Sequence, residues 1–147
     1  MTGRPVTIDT NGWFALLNRR DRLHRRAVAT YGALLRSRGP ILVTDWIIAE
    51  TGNGLARTPA RRTFRTAVEL LLDDPRTTLI VIDAARMRQA LERYHQRADK
   101  TWGLIDCSTM LVIEELGSTE VFTSDYHFEQ AGFAALLRGA GSGLGNE

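Results

Sequence analysis

Cysteine is almost absent from this chain: Cys107 stands alone among 147 residues. An intramolecular disulfide is therefore excluded, and Cys107 reads as core filler. Histidine is nearly as scarce, and His24, His95 and His127 do not fall at the paired spacings of a zinc site. No charged-then-apolar leader opens the chain, and no run is long enough to span a bilayer, so the sequence reads as cytoplasmic and soluble. Internal repeats, domain linkers and coiled-coil heptads are also missing. At this length the expectation is one domain over residues 1–138 with a single core, followed by a tail, 139–147, whose four glycines predict disorder. Lysine is the last scarcity, because of 19 basic residues all but Lys100 are arginine. Arginine is the side chain best suited to bidentate phosphate contacts.

The net charge of +2 understates the basic surface if acids are gathered in one cleft. Setting four of the 17 acids aside leaves 13 against 19 basic residues, a balance of +6. That favours nucleic acid as a partner. The competing reading is that the arginines form ordinary solvated helix faces.

Strand and helix signals alternate along the chain. Val6 to Asp9 reads as a buried strand, and Trp13 to Leu17 begins a helix. A polar run, 18–22, leads to a second helix over about 24–36, ended by Gly39-Pro40. Ile41 to Thr44 is a second strand, with Asp45 placed to cap the helix that carries Trp46, Ile47, Ile48 and Leu55. Thr58-Pro59 signals another helix start, closed by Asp73-Asp74-Pro75. Thr78 to Ile82 is a third strand, and the helix after it has an apolar stripe of Ala84, Met87, Ala90 or Leu91, Tyr94 and Ala98. The most apolar helix follows over about 102–116, with Thr101 as its expected cap and Gly117 as its left-handed stop. Val121 to Thr123 is a fourth strand, followed by a helical turn over about 128–131, and 133–137 adds a short edge strand. This alternation predicts an α/β fold with a parallel sheet and helices on both faces.

Four acids fall at equivalent places on that scaffold. Asp9 and Asp125 directly follow strands, where open parallel sheets bind their ligands. Glu50 lies three residues beyond Ile47, on the border of an apolar face. Asp106 is in register with Met110 and Ile113, in a row otherwise wholly apolar. An acid after a strand is ordinarily a turn or capping residue, and a single such Asp carries little. Four on one rim would repel one another unless a cation held them, and a purely oxygen donor set favours Mg²⁺ or Mn²⁺.

Specific stretches now carry a resemblance. Ile8-Asp9-Thr10-Asn11, Ala49-Glu50, Ile105-Asp106-Cys107-Ser108 and especially Thr123-Ser124-Asp125-Tyr126-His127-Phe128, with Gly132-Phe133 shortly after, resemble the acidic motifs of PIN-domain ribonucleases, particularly the VapC toxins. The resemblance covers residues 6 to about 137. It implies a three-layer α/β/α sandwich around a parallel sheet of four to five strands, and Mg²⁺- or Mn²⁺-dependent cleavage of RNA. It also implies a homodimer and inhibition by a small antitoxin whose C-terminal segment enters the active-site groove. Under it, Asp9, Glu50, Asp106 and Asp125 are the metal-holding and catalytic acids. Asp99 stands where some members have a further acid, and Thr10, Asn11, Ser108 and Thr123 are candidates to orient the carboxylates. Trp46 and Trp13 are candidate apolar anchors for the antitoxin. Two other readings use the same residues. One is a non-catalytic RNA-binding or interaction module; the other is an Asp-based phosphotransfer domain, which would want a second Asp where this chain has Asn11.

Overall fold

Val6, Thr7 and Ile8 are all buried, as a strand covered on both faces must be. They form β1, the middle strand of the sheet. The computed structural model describes residues 3–138, so the glycine-rich tail expected to be disordered lies outside the described residues. After β1 (Val6–Ile8) come α1 (Thr10–Leu17), α2 (His24–Ser37), β2 (Ile41–Thr44), α3 (Asp45–Leu55), α4 (Arg61–Asp73) and β3 (Thr77–Ile80). The chain continues through α5 (Ala84–Gln96), α6 (Leu104–Leu116), β4 (Glu120–Phe122), α7 (Tyr126–Gln130) and β5 (Ala134–Ala135). Among the described residues the sheet has five strands in the order β3-β2-β1-β4-β5, and every pairing is parallel.

Alternate strand residues build two cores. Val6, Ile8, Ile41, Val43 and Phe122 pack with Trp13 and Ala15 of α1, Ala27 and Leu34 of α2, and Leu71 of α4. On the other face Val121 packs with Ala90 of α5, Met110 and Ile113 of α6 and Phe128 of α7, while Leu42 and Ile80 meet Val112. The expected three-layer sandwich is therefore present, with Cys107 buried as expected. Among the described residues no helix is long and apolar enough to cross a membrane.

The strand order reverses direction between β1 and β4. From β1 the chain moves outward to β2 and β3, and it returns to the far side of β1 only at β4. Open α/β sheets hold ligands in the crevice at such a switch. Gly12 keeps that crevice tight, because a Cβ there would lie 2.1 Å from the Phe122 carbonyl oxygen. No larger residue fits without moving α1 away from β4.

Several local expectations are corrected. Thr44, not Asp45, caps α3, its Oγ1 accepting from the Ile47 N–H; Asp45 Oδ1 instead accepts from Ile82 N–H and ties α3 to the chain after β3. Thr58 closes a local turn by accepting from Ala60 N–H, so α4 starts at Arg61. Helix α6 is capped at Gly103, two residues after the expected Thr101. The edge strand is shorter than the expected 133–137. The apolar stripe of α5 faces outward: Ala90 is buried, but Met87, Leu91 and Tyr94 are exposed. Arg86 and Arg93, on the Ala90 side, pair with Glu115 and Glu114 of α6. These two ion pairs accompany an orientation about one residue's rotation from the hydrophobic expectation. Trp13, expected as a possible anchor for a partner, is 2% exposed and packs against the Phe64 ring. Gly117 ends α6 with φ 72, as predicted.

Candidate metal centre

Asp9 occupies the N-cap position of α1, yet its side chain makes no capping bond. The ordinary explanation for an Asp after a strand therefore fails. Its carboxylate is 4% exposed and turns toward β4, where Thr123 Oγ1 donates to Oδ2 at 2.8 Å. The same hydroxyl accepts from Asp125 N–H at 3.0 Å. Thr123 thereby fixes the spacing of two acids from two strands. Asn11 completes the joint, its Oδ1 accepting from Ser124 N–H at 2.6 Å and from Ser124 Oγ at 2.9 Å. Thr123 thus bonds Asp9 directly, while Asn11 reaches the rim through Thr123 and Ser124.

Asp125 caps α7 by accepting from His127 N–H at 2.9 Å. Asp106 lies in the first turn of α6 and accepts from Gly103 N–H through Oδ2 at 2.9 Å. A helical side chain leans toward the N-terminus of its helix, which directs the Asp106 carboxylate to the rim, where Asp125 stands as the extended N-cap of α7. Asp106, Asp125 and His127 each bring one donor atom within 4.8 Å of the others.

Glu50 reaches the rim from α3, and Thr10 Oγ1 donates to its Oε1 at 2.6 Å. It is exposed, against the expectation of a carboxylate on the border of the core. Two candidates are not drawn in. Asp99 forms a bidentate pair with Arg97, at 2.9 and 3.0 Å, on the surface. Ser108 is buried, and its hydroxyl returns to its own helix at the Ile105 carbonyl.

Charge is concentrated as the residue types require. Burial pushes the Asp9 carboxyl up to about 7, with Asp106 and Asp125 adding to the rise and the Thr123 hydroxyl opposing it. Asp106 is also raised, chiefly by burial, with Asp125 and Glu50 contributing. Repulsion of this kind is relieved by a cation.

His127 is the residue that sequence reasoning missed. Its Nδ1 lies 3.1 Å from Asp125 Oδ1 and 3.7 Å from Asp106 Oδ2. That atom is buried and, among the described residues, has no hydrogen-bond partner. Nothing in the spacing of three scattered histidines points to it. The only signal is its place two residues after a capping Asp, where a first-turn side chain folds back on the rim. An orphaned nitrogen among carboxylates is a donor set that a divalent ion fits.

Beside Glu50 lies an open cleft of about 510 Å³ lined by Trp46, Ala49, Asn53, Leu104 and Ile105.

Comparison with known proteins agrees with this geometry. No curated protein matches the sequence. The fold is similar to the crystal structure of VapC20 from Mycobacterium tuberculosis, a sarcin–ricin loop cleaving toxin. The TM-score is 0.78 at 21% identity, over 88% of this chain and 96% of that one. The sequence model of the PIN domain matches residues 6–134. Because that span begins at the strand leading to Asp9, ends at the edge strand after Asp125 and contains all four rim acids, the chain belongs to the PIN-domain family.

Proposed function

We propose that this chain is a divalent-metal-dependent endoribonuclease, with Mg²⁺ or Mn²⁺ as the ion, acting as the toxin of a toxin–antitoxin pair. The observation that carries the reading is the meeting of Asp106 and Asp125, with the buried Asp9 tied to Asp125 through the Thr123 hydroxyl, at the β1/β4 switch of a PIN-family chain. A phosphodiester is repelled by such a rim until the carboxylates are neutralised. When bound, a divalent cation supplies that neutralisation and a more acidic water for in-line attack at phosphorus. Asp9, Asp106 and Asp125 hold the ion, and Glu50 bounds the site from α3 beside the open cleft. Thr123 and Asn11 keep the strand-end acids in register through the bonds that join α1 to the end of β4.

Three features support the partners in this reading. Exposed arginines at 57, 61, 62 and 65, at the start of α4, suit a phosphate backbone. The cleft beside Glu50, with Trp46 in its wall, suits a small antitoxin whose C-terminal segment places an arginine on the carboxylates. The outward stripe of Met87, Leu91 and Tyr94 on α5, with Leu79 and Val81 exposed on and just after the edge strand β3, suits a second copy in a homodimer. The cytoplasm is the compartment that goes with this set.

The test is cleavage of RNA by wild type, Asp106→Asn and Asp125→Asn. Each substitution keeps shape and removes charge, so the variants are expected to stay folded and lose activity in any divalent ion. Wild-type cleavage by both variants overturns the reading.

A further inference from the structure

The orphaned Nδ1 of His127 has no role in an all-carboxylate site. Its surroundings give it one. Cis ligands of an octahedral ion with bonds near 2.1 Å stand about 3 Å apart, and Nδ1 lies 3.1 Å from Asp125 Oδ1 and 3.7 Å from Asp106 Oδ2. At the other end of the ring, Nε2 lies 3.0 Å from Thr101 Oγ1. That hydroxyl can accept from Nε2–H, and in the tautomer so formed the Nδ1 lone pair faces the acids. Ligating histidines are commonly fixed in this way by a hydrogen bond from their second nitrogen. The Tyr126 ring, 4.8 Å away centroid to centroid, packs beside the imidazole and limits its rotation.

We propose that His127 is a metal ligand through Nδ1, and that this nitrogen makes the centre select a first-row transition-metal ion such as Mn²⁺ over Mg²⁺. Mg²⁺ holds its waters and prefers oxygen donors, whereas imidazole is a favourable ligand for transition metals. Adding one imidazole to the carboxylates therefore makes the centre bind the two ions differently, where an all-acid rim would treat them alike. The proposal rests on the metal-dependent reading above and specifies its ion.

Pulsed electron paramagnetic resonance on the Mn²⁺-loaded wild-type protein reads the ligand without reference to activity. The expected spectrum shows modulation from a directly bound ¹⁴N nucleus. Calorimetric titration with Mn²⁺ and Mg²⁺ gives the second readout. Wild type is expected to prefer Mn²⁺ by roughly tenfold or more. His127→Gln, which preserves a donor toward Thr101 but removes the Nδ1 position, is expected to lose about tenfold in Mn²⁺ affinity with Mg²⁺ affinity unchanged. Mn²⁺ that binds in an Asp106-dependent manner without nitrogen modulation, and with equal affinities in His127→Gln, overturns the assignment and leaves the metal-dependent reading standing. A wild-type protein that binds neither ion overturns both.

Discussion

Burial keeps the Asp9 carboxyl protonated to about 7, against 3.8 for the free group. As pH rises from 4 the unfolded chain gives up this proton while the folded one keeps it, so stability falls. Above about 7 both states are ionised, and the accumulated penalty is constant, on the order of 4 kcal/mol. Asp9→Asn has no proton to release. In metal-free solution its stability relative to wild type is expected to grow by a few kcal/mol between pH 4 and pH 8 in urea unfolding, and a difference that does not change with pH contradicts the account. Asp9, Asp106 and Asp125 were legible in the sequence because each breaks a pattern: a carboxylate at the end of a buried strand, or one acid in an otherwise apolar helical row. For Asp99 and Ser108 the sequence did not show the nearer partner each one bonds, Arg97 two residues away and the Ile105 carbonyl one turn back. His127 left only the weak signal of following the capping Asp125 by two residues, since its other partners, Asp106 and Thr101, are distant in sequence.

At the scale of elements, the joint between α1 and the end of β4 positions the site. Gly12→Ala places a methyl against the Phe122 carbonyl oxygen, and fixed backbone on that side leaves no side chain to give way. The substitution is expected to cost about 2 kcal/mol or more and to loosen the Asn11–Ser124 contact. Chemical denaturation reads the first effect, and hydrogen exchange at the Ser124 amide reads the second. An unchanged midpoint would show that α1 has freedom the close approach denies it. Strand cores and their parallel arrangement were readable because continuous β-branched runs alternate with helical periods. Helix starts were less so: neighbouring residues compete to cap, and Thr44 wins over Asp45 because Asp45 has a backbone N–H to hold at Ile82. Likewise the stripe on α5 alone does not reveal which side meets α6, where Arg86 and Arg93 pair with Glu115 and Glu114.

The whole molecule combines a small acidic cleft with a largely arginine-borne positive surface. RNA affinity is therefore expected to fall with salt, with a slope of about 0.7 per phosphate contacted by single-stranded RNA. Paired Arg61→Ala and Arg62→Ala changes are expected to reduce both affinity and slope in fluorescence anisotropy; unchanged values assign those residues to a solvated face. Beneath that grip lies the central claim, that acids at the β1/β4 switch hold a divalent ion for attack by water on RNA. The measurement that reaches it most directly is the chemistry of the product ends, determined after RNA cleavage with Mg²⁺ or Mn²⁺ and again in EDTA. The account predicts 5′-phosphate and 3′-hydroxyl ends with metal and intact RNA in EDTA. Cyclic phosphate ends, or cleavage that continues in EDTA, would contradict it.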